Sequence, residues 1–160
     1  MPSPTFNTDP LGTFVIPNRW ISFTVKSLKI LDADAAVICK NGNLDIIYNP
    51  DAIPGEGVEC DTKHEQQHIE DYHKRYGENV CKDAQGNNHH DGDQPSGGEN
   101  YEAFRKQSEC DAYQASLDCL REKLCKYKDE PFTNTNKARL YAREKKAIQM
   151  MEELKCPKKR

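Results

Sequence analysis

The segment "NPDAIPGEG", Asn49 to Gly57, holds two prolines and two glycines and divides the chain into halves with different hydrophobic periods. Before it, from Thr13 to Asn49, the runs "TFVI", "WISFTVKSLKIL", "AAVICK" and "LDIIY" are rich in Val, Ile, Phe and Tyr with partial alternation, which predicts an antiparallel sheet. Asn41-Gly42 between the last two runs predicts a hairpin, because both central residues of a type I′ turn need φ > 0. After the break the spacing predicts a helix over about Asp61 to Tyr76, with Asp61 or Thr62 as N-cap and Gly77 as its stop. A polar loop from Glu78 to Asn100 should follow, then helices over about Tyr101 to Tyr127 and Lys137 to Lys155. Strands first and helices after predict one α+β domain over 1–160, mainly strands in 1–58 and mainly helices in 59–160.

Such a domain is sparsely cored. Only 36% of its 160 residues are hydrophobic against 31% charged, so the fold calls for support from a metal, disulfides or a parent chain. Seven cysteines leave at least one unpaired, and without a C-x-x-C pair a cysteine zinc knuckle is not expected. Buried free thiols and disulfides both remain open. A helix of about 17 residues is ~25 Å long, so Cys60 and Cys81 at its two ends cannot bridge each other, and any disulfide must join different elements.

The net charge of -3 provides no basic field for a nucleic acid backbone. The basic run "AREKK" and the end "CPKKR" are short, as expected of a solvated helix face or a tail. No stretch approaches the ~20 apolar residues of a membrane span, so none is expected. The start, "MPSPTFNTDPLGTFVIPNRW", lacks the charged and apolar segments of a signal peptide. That pattern leaves delivery by a dedicated secretion system, a place inside a larger exported chain, or a cytoplasmic location.

Three of the five histidines fall within "KHEQQHIEDYH", Lys63 to His73, where His64, Glu65 and His68 form H-E-x-x-H. Residues four apart on a helix share a face, so both imidazoles can reach one ion, while Glu65 is offset by about 100° toward a water on that ion. The ion brings the water's pKa toward neutrality and the carboxylate takes its proton, which is hydrolase chemistry. A shuffled chain of this composition contains the pattern only about 0.01 times. A solvated helix whose histidines bond to neighbours is the alternative. His73 stands half a turn round from His64 and is expected at the surface, and Asp71 is spaced to hold a ligand imidazole or to stand as an exposed acid.

A catalytic zinc site takes three protein ligands. The metzincin pattern is excluded, because Lys74 stands where its third histidine belongs and Asp71 where its glycine belongs. In "YEAFRKQSECDAYQASLDCLREKL", Glu109 shares a helical face with Tyr101, Phe104, Ala112, Tyr113, Leu117, Leu120 and Leu124. An acid on a core-facing stripe needs a metal or a counter-charge, so Glu109 is the leading third ligand. The flanking Glu102, Asp111 and Asp118 are less aligned with that stripe. The loop "NNHHDGD", with His89, His90, Asp91 and Asp93, is the rival. Tyr113, one turn beyond Glu109, can donate to a developing oxyanion or pack as a core tyrosine.

"HEQQH" on one helix with a glutamate in "SECDAY" on a later helix resembles the gluzincin branch of the zincin metallopeptidases, over about Glu59 to Leu124. It also looks like the small zincin-like domains at the C-termini of bacterial polymorphic toxins, including RHS-type and type VI secretion effectors. The resemblance implies Zn2+ bound by His64, His68 and Glu109, with Glu65 as general base and Tyr113 assisting. It implies a peptide or protein substrate laid along a sheet edge, an exported toxin or effector, and a cognate immunity or inhibitor protein. The chain departs from the larger gluzincins in lacking N-E-x-x-S-D, since Glu109 is followed by Cys110, Asp111, Ala112 and Tyr113. The expected function is therefore a zinc metallopeptidase. A zinc amidase acting on cell-wall peptides and a non-catalytic, metal-stabilised interaction module are the alternatives.

Overall fold

A computed structural model describes residues 15–52 and 54–158. In chain order the elements are β1 (Arg19–Ser22), α1 (Val25–Leu31), β2 (Ala35–Lys40), β3 (Asn43–Tyr48), α2 (Val58–Tyr76), β4 (Asp93–Ser96), α3 (Tyr101–Cys125) and α4 (Thr135–Glu153). The mixed α and β composition agrees with the α+β expectation. The expected single sheet is replaced by two antiparallel pairs, β1 with β4 and β2 with β3.

The β2–β3 hairpin turns at Asn41-Gly42, with φ of 52° and 80° as a type I′ turn requires. The run "WISFTVKSLKIL" does not form one strand. Thr24 and Ser27 exchange side-chain and backbone hydrogen bonds as a capping box and start α1 at Val25. Leu28, buried on the inner face of α1, anchors that short helix. The run "TFVI" begins outside the described residues, and its Val15 N–H donates to the Arg75 carbonyl.

The expected loop over 78–100 contains β4, whose Ser96 pairs with Arg19 and whose Asp93 pairs with Ser22. Pro95 is fully buried in that strand. Its polar and proline content hides the strand from a hydrophobicity pattern, and it is tolerated because a two-stranded ribbon consists of edges. Gln94 joins the two pairs by donating to the Val37 carbonyl at 3.0 Å.

α2 starts at Val58, three residues before the expected Asp61, and Gly57 rather than Asp61 or Thr62 is its N-cap. A Cβ at Gly57 would collide with the Arg143 side chain, which passes there on its way to an ion pair with Asp61. The Arg143 side chain from α4 thus lies against the N-cap of α2, where a glycine leaves it room. α3 ends two residues short of the expected Tyr127, and α4 starts two residues before Lys137, capped by Asn134, whose side chain accepts from the Lys137 N–H.

Disulfides lie in both hydrophobic clusters. One cluster comprises Val37, Tyr72, Tyr76 and Val80 around the Cys39–Cys81 bond. The other places Leu120 and Leu140 around Cys60, which is bonded to Cys119. A third bond ties Cys110 of α3 to Cys156 beyond α4, and Cys125 is the free, exposed cysteine. Each bond joins different elements. The covalent links stand where a chain with little apolar surface lacks packing. Among the described residues, no helix is long and apolar enough to cross a membrane.

Candidate metal centre

Helices α2 and α3 lie antiparallel, and their residues meet at every fourth position. The ring of His64 meets the ring of Tyr113 edge-on at 4.5 Å. His68 contacts Glu109 through Nε2 and Oε1. One turn further along, Arg105 Nη1 donates to the Tyr72 hydroxyl at 3.0 Å. The i, i+4, i+8 series on each helix thus faces the same series on the other.

The middle of this ladder brings together the expected ligands. One donor atom each from His64, His68 and Glu109 lie within 4.8 Å of one another. His64 Nε2 is 3.8 Å from Glu109 Oε1 and 3.8 Å from Glu65 Oε2. Tetrahedral zinc bonds of ~2.0–2.2 Å put donor atoms ~3.3 Å apart, so rotamer adjustments close the set on an ion.

The hydrogen bonding of His68 favours a cation there. Ser108 Oγ lies 2.8 Å from His68 Nδ1 and donates to Asp71 Oδ2 at 2.7 Å. A serine hydroxyl has one proton, so Ser108 accepts from the Nδ1–H, which leaves Nε2 to face the Glu109 carboxylate. A nitrogen and a carboxylate oxygen this close share a cation, a proton or a metal ion. Asp71 therefore reaches the His68 imidazole through Ser108, a residue that the motif spacing does not mark.

Charge in the site follows burial. Glu65 is only 8% exposed, and burial pushes its carboxyl up against the pull of His64 and His68. Burial works against ionised Glu109 too, yet the adjacent His64 and His68 imidazoles and the Arg105 charge outweigh it and hold that carboxyl well below the usual range. Burial alone would lower His64, but the neighbouring Glu109 and Glu65 carboxylates raise it. Burial also raises Tyr113, so its phenol keeps its proton.

The other candidates lie elsewhere. His89 stacks on Trp20 at 3.6 Å and sits 3.2 Å from Asp93, while Asp91 accepts from the Asn41 N–H. With His90, these loop residues are not in the cluster, so the rival ligand loop is set aside. His73 faces Glu78 at 3.7 Å. Glu102, Asp111 and Asp118 are exposed, and the latter two accept from Gln107 and Gln114.

A cleft of about 370 Å³ opens onto the cluster. Its lining includes the apolar Phe23, Leu28, Leu31 and Met150 together with His64, Glu65, Glu109, Tyr113 and Arg105. Arg105, like Ser108, was not singled out from the sequence, although it stands one turn before Glu109 on the same face. No protein-family model, curated protein or solved structure matches this chain.

Proposed function

We propose that this protein is a zinc-dependent hydrolase with a zincin-like core that cleaves peptide bonds. The observation that carries the reading is the convergence of His64, His68 and Glu109 at the floor of a cleft, with buried Glu65 beside them. When bound, zinc supplies a Lewis acid for the scissile carbonyl and lowers the pKa of a water toward neutrality.

The protein's own groups do the rest. Glu65, raised by burial, accepts a proton from the attacking water and returns it to the leaving amine. Ser108 and Asp71 fix the His68 ring with Nε2 outward. Tyr113 keeps its proton and serves as a hydrogen-bond donor to the substrate carbonyl oxygen. The apolar lining of the cleft admits a peptide side chain and sheds water.

Three disulfides among the described residues support an oxidising destination, in keeping with an exported effector or toxin that acts on a peptide or protein and is held in check by a cognate inhibitor.

The test combines metal analysis with cleavage of an unbiased peptide pool. One zinc per chain, lost in His64→Ala, and cleavage abolished in Glu65→Gln with zinc retained, are the expected results. Zinc bound with no peptide cut by wild type would sink the peptidase, and lysis of bacterial cells without proteolysis would point to the cell-wall amidase.

A further inference from the structure

The zinc and peptidase reading leaves one charged group of the cleft without a task. Arg105 projects from α3 one turn before Glu109 and lines the cleft, with its side chain 28% exposed. Its position is fixed from below, where Nη1 donates to the hydroxyl of fully buried Tyr72. Burial pushes the Tyr72 hydroxyl up, so it stays neutral and balances none of the guanidinium charge.

Its ion pair with Glu109 leaves the hydrogen-bonding fork of Arg105 unfilled. Nη2 stands 3.8 Å from Glu109 Oε1, beyond hydrogen-bond length, and that same oxygen already contacts His68. A guanidinium has five N–H donors in a rigid fork, suited to an anionic oxygen approached from the cleft. The other cleft cations are committed elsewhere. Arg143 is paired with Asp61 and Asp34, and Lys146 lies 3.7 Å from Asp34.

We propose that Arg105 is the anion-binding group of this cleft, donating to the substrate oxygen that becomes negative when water adds to the scissile carbonyl. This rests on the zinc-hydrolase reading above. As the water oxygen bonds to the carbonyl carbon, the C=O π pair moves onto oxygen and one water proton passes to Glu65. When the C–N bond breaks, that pair returns to the carbonyl and the amine leaves with the proton from Glu65. The charge exists only between those two events, and a prealigned cation at that point stabilises it with no reorganisation. Arg105 and Tyr113, one turn to either side of Glu109, then flank the reacting carbonyl from opposite ends of the cluster.

Calorimetric titration of the zinc-loaded protein tests this with two small probes. N-phosphoryl-leucinamide presents a tetrahedral anion with a side chain for the apolar lining of the cleft. Acetohydroxamate ligates zinc without a tetrahedral anion. In Arg105→Gln, zinc content should stay at one per chain, phosphoryl-leucinamide should bind on the order of 10- to 100-fold more weakly, and acetohydroxamate should bind as in wild type. Arg105→Lys, which keeps the charge and loses the fork, should fall between. Equal weakening of both probes, loss of zinc in both variants, or no phosphoryl-leucinamide binding by zinc-loaded wild type would overturn the assignment. Wild-type protein without zinc would instead remove the metal reading on which it rests.

Discussion

The ring of His68 is held from behind by Ser108, 2.8 Å from its Nδ1, and Ser108 is held in turn by Asp71. A neutral hydroxyl relaying to a carboxylate fixes both the tautomer and the ring plane. Ser108→Ala should therefore weaken zinc binding by about 10- to 100-fold without unfolding the chain, and Asp71→Asn should do the same to a lesser degree. Competition against a chromophoric chelator measures both, and unchanged affinity in Ser108→Ala would remove the relay from the account.

Tyr113 makes an edge contact to His64 and carries a proton that burial protects. Tyr113→Phe keeps the ring and deletes the donor, so zinc content should hold while turnover of a cleavable peptide falls on the order of 10²-fold. A fall in zinc content of the same size would mean that the tyrosine only packs.

Asp61 lines the cleft one turn before the motif, where burial and the nearby Asp34 raise its pKa to about 6 despite the Arg143 guanidinium. Between the ordinary value of 3.8 and about 6 the folded protein holds a proton that the unfolded chain has released. Stability should therefore decrease as pH rises through that window, by up to about 3 kcal/mol at 1.36 kcal/mol per unit. Denaturant titrations from pH 4 to 7 should show this slope, and Asp61→Asn should flatten it.

Cys60–Cys119 closes a loop with a sequence separation of 59 and ties α2 to α3. The chain-entropy estimate for a loop of that size is about 4 kcal/mol, a large part of the stability of a small domain. Cys60→Ala with Cys119→Ala should lower the melting temperature by more than 10 °C and release zinc on mild heating, whereas Cys125→Ser should change neither. Thermal melts with and without reductant provide the comparison.

Legibility in the sequence followed the range of the interactions. The hairpin at Asn41-Gly42 and the faces of α2 and α3 depend on local stereochemistry and helical period, so His64, His68 and Glu109 could be singled out before any contact was known. β4 was hidden because a strand of Asp, Gln, Pro and Ser is held by its partner β1 and not by its own propensity. The start of α2 was misjudged because its N-cap is Gly57, which has no side chain to mark a cap. α1 was missed because apolar β-branched residues outweighed the Thr24 and Ser27 cap. Ser108 and Arg105 gave weaker signals, since a serine and an arginine on a helix are ordinarily solvated. The cysteine pairing depended on the full topology, which the spacing of seven cysteines does not fix.

The antiparallel pairing of His64 with Tyr113, His68 with Glu109 and Tyr72 with Arg105 has a consequence for assembly. Advancing α3 by one residue would swing Glu109 about 100° away from both imidazoles, and sliding it by a full turn would set a tyrosine or an arginine opposite His68. Only one alignment of the two helices collects three donors. If the cluster holds zinc as proposed, its affinity is a vernier on helix register, and zinc uptake during refolding would report correct docking of α3 on α2.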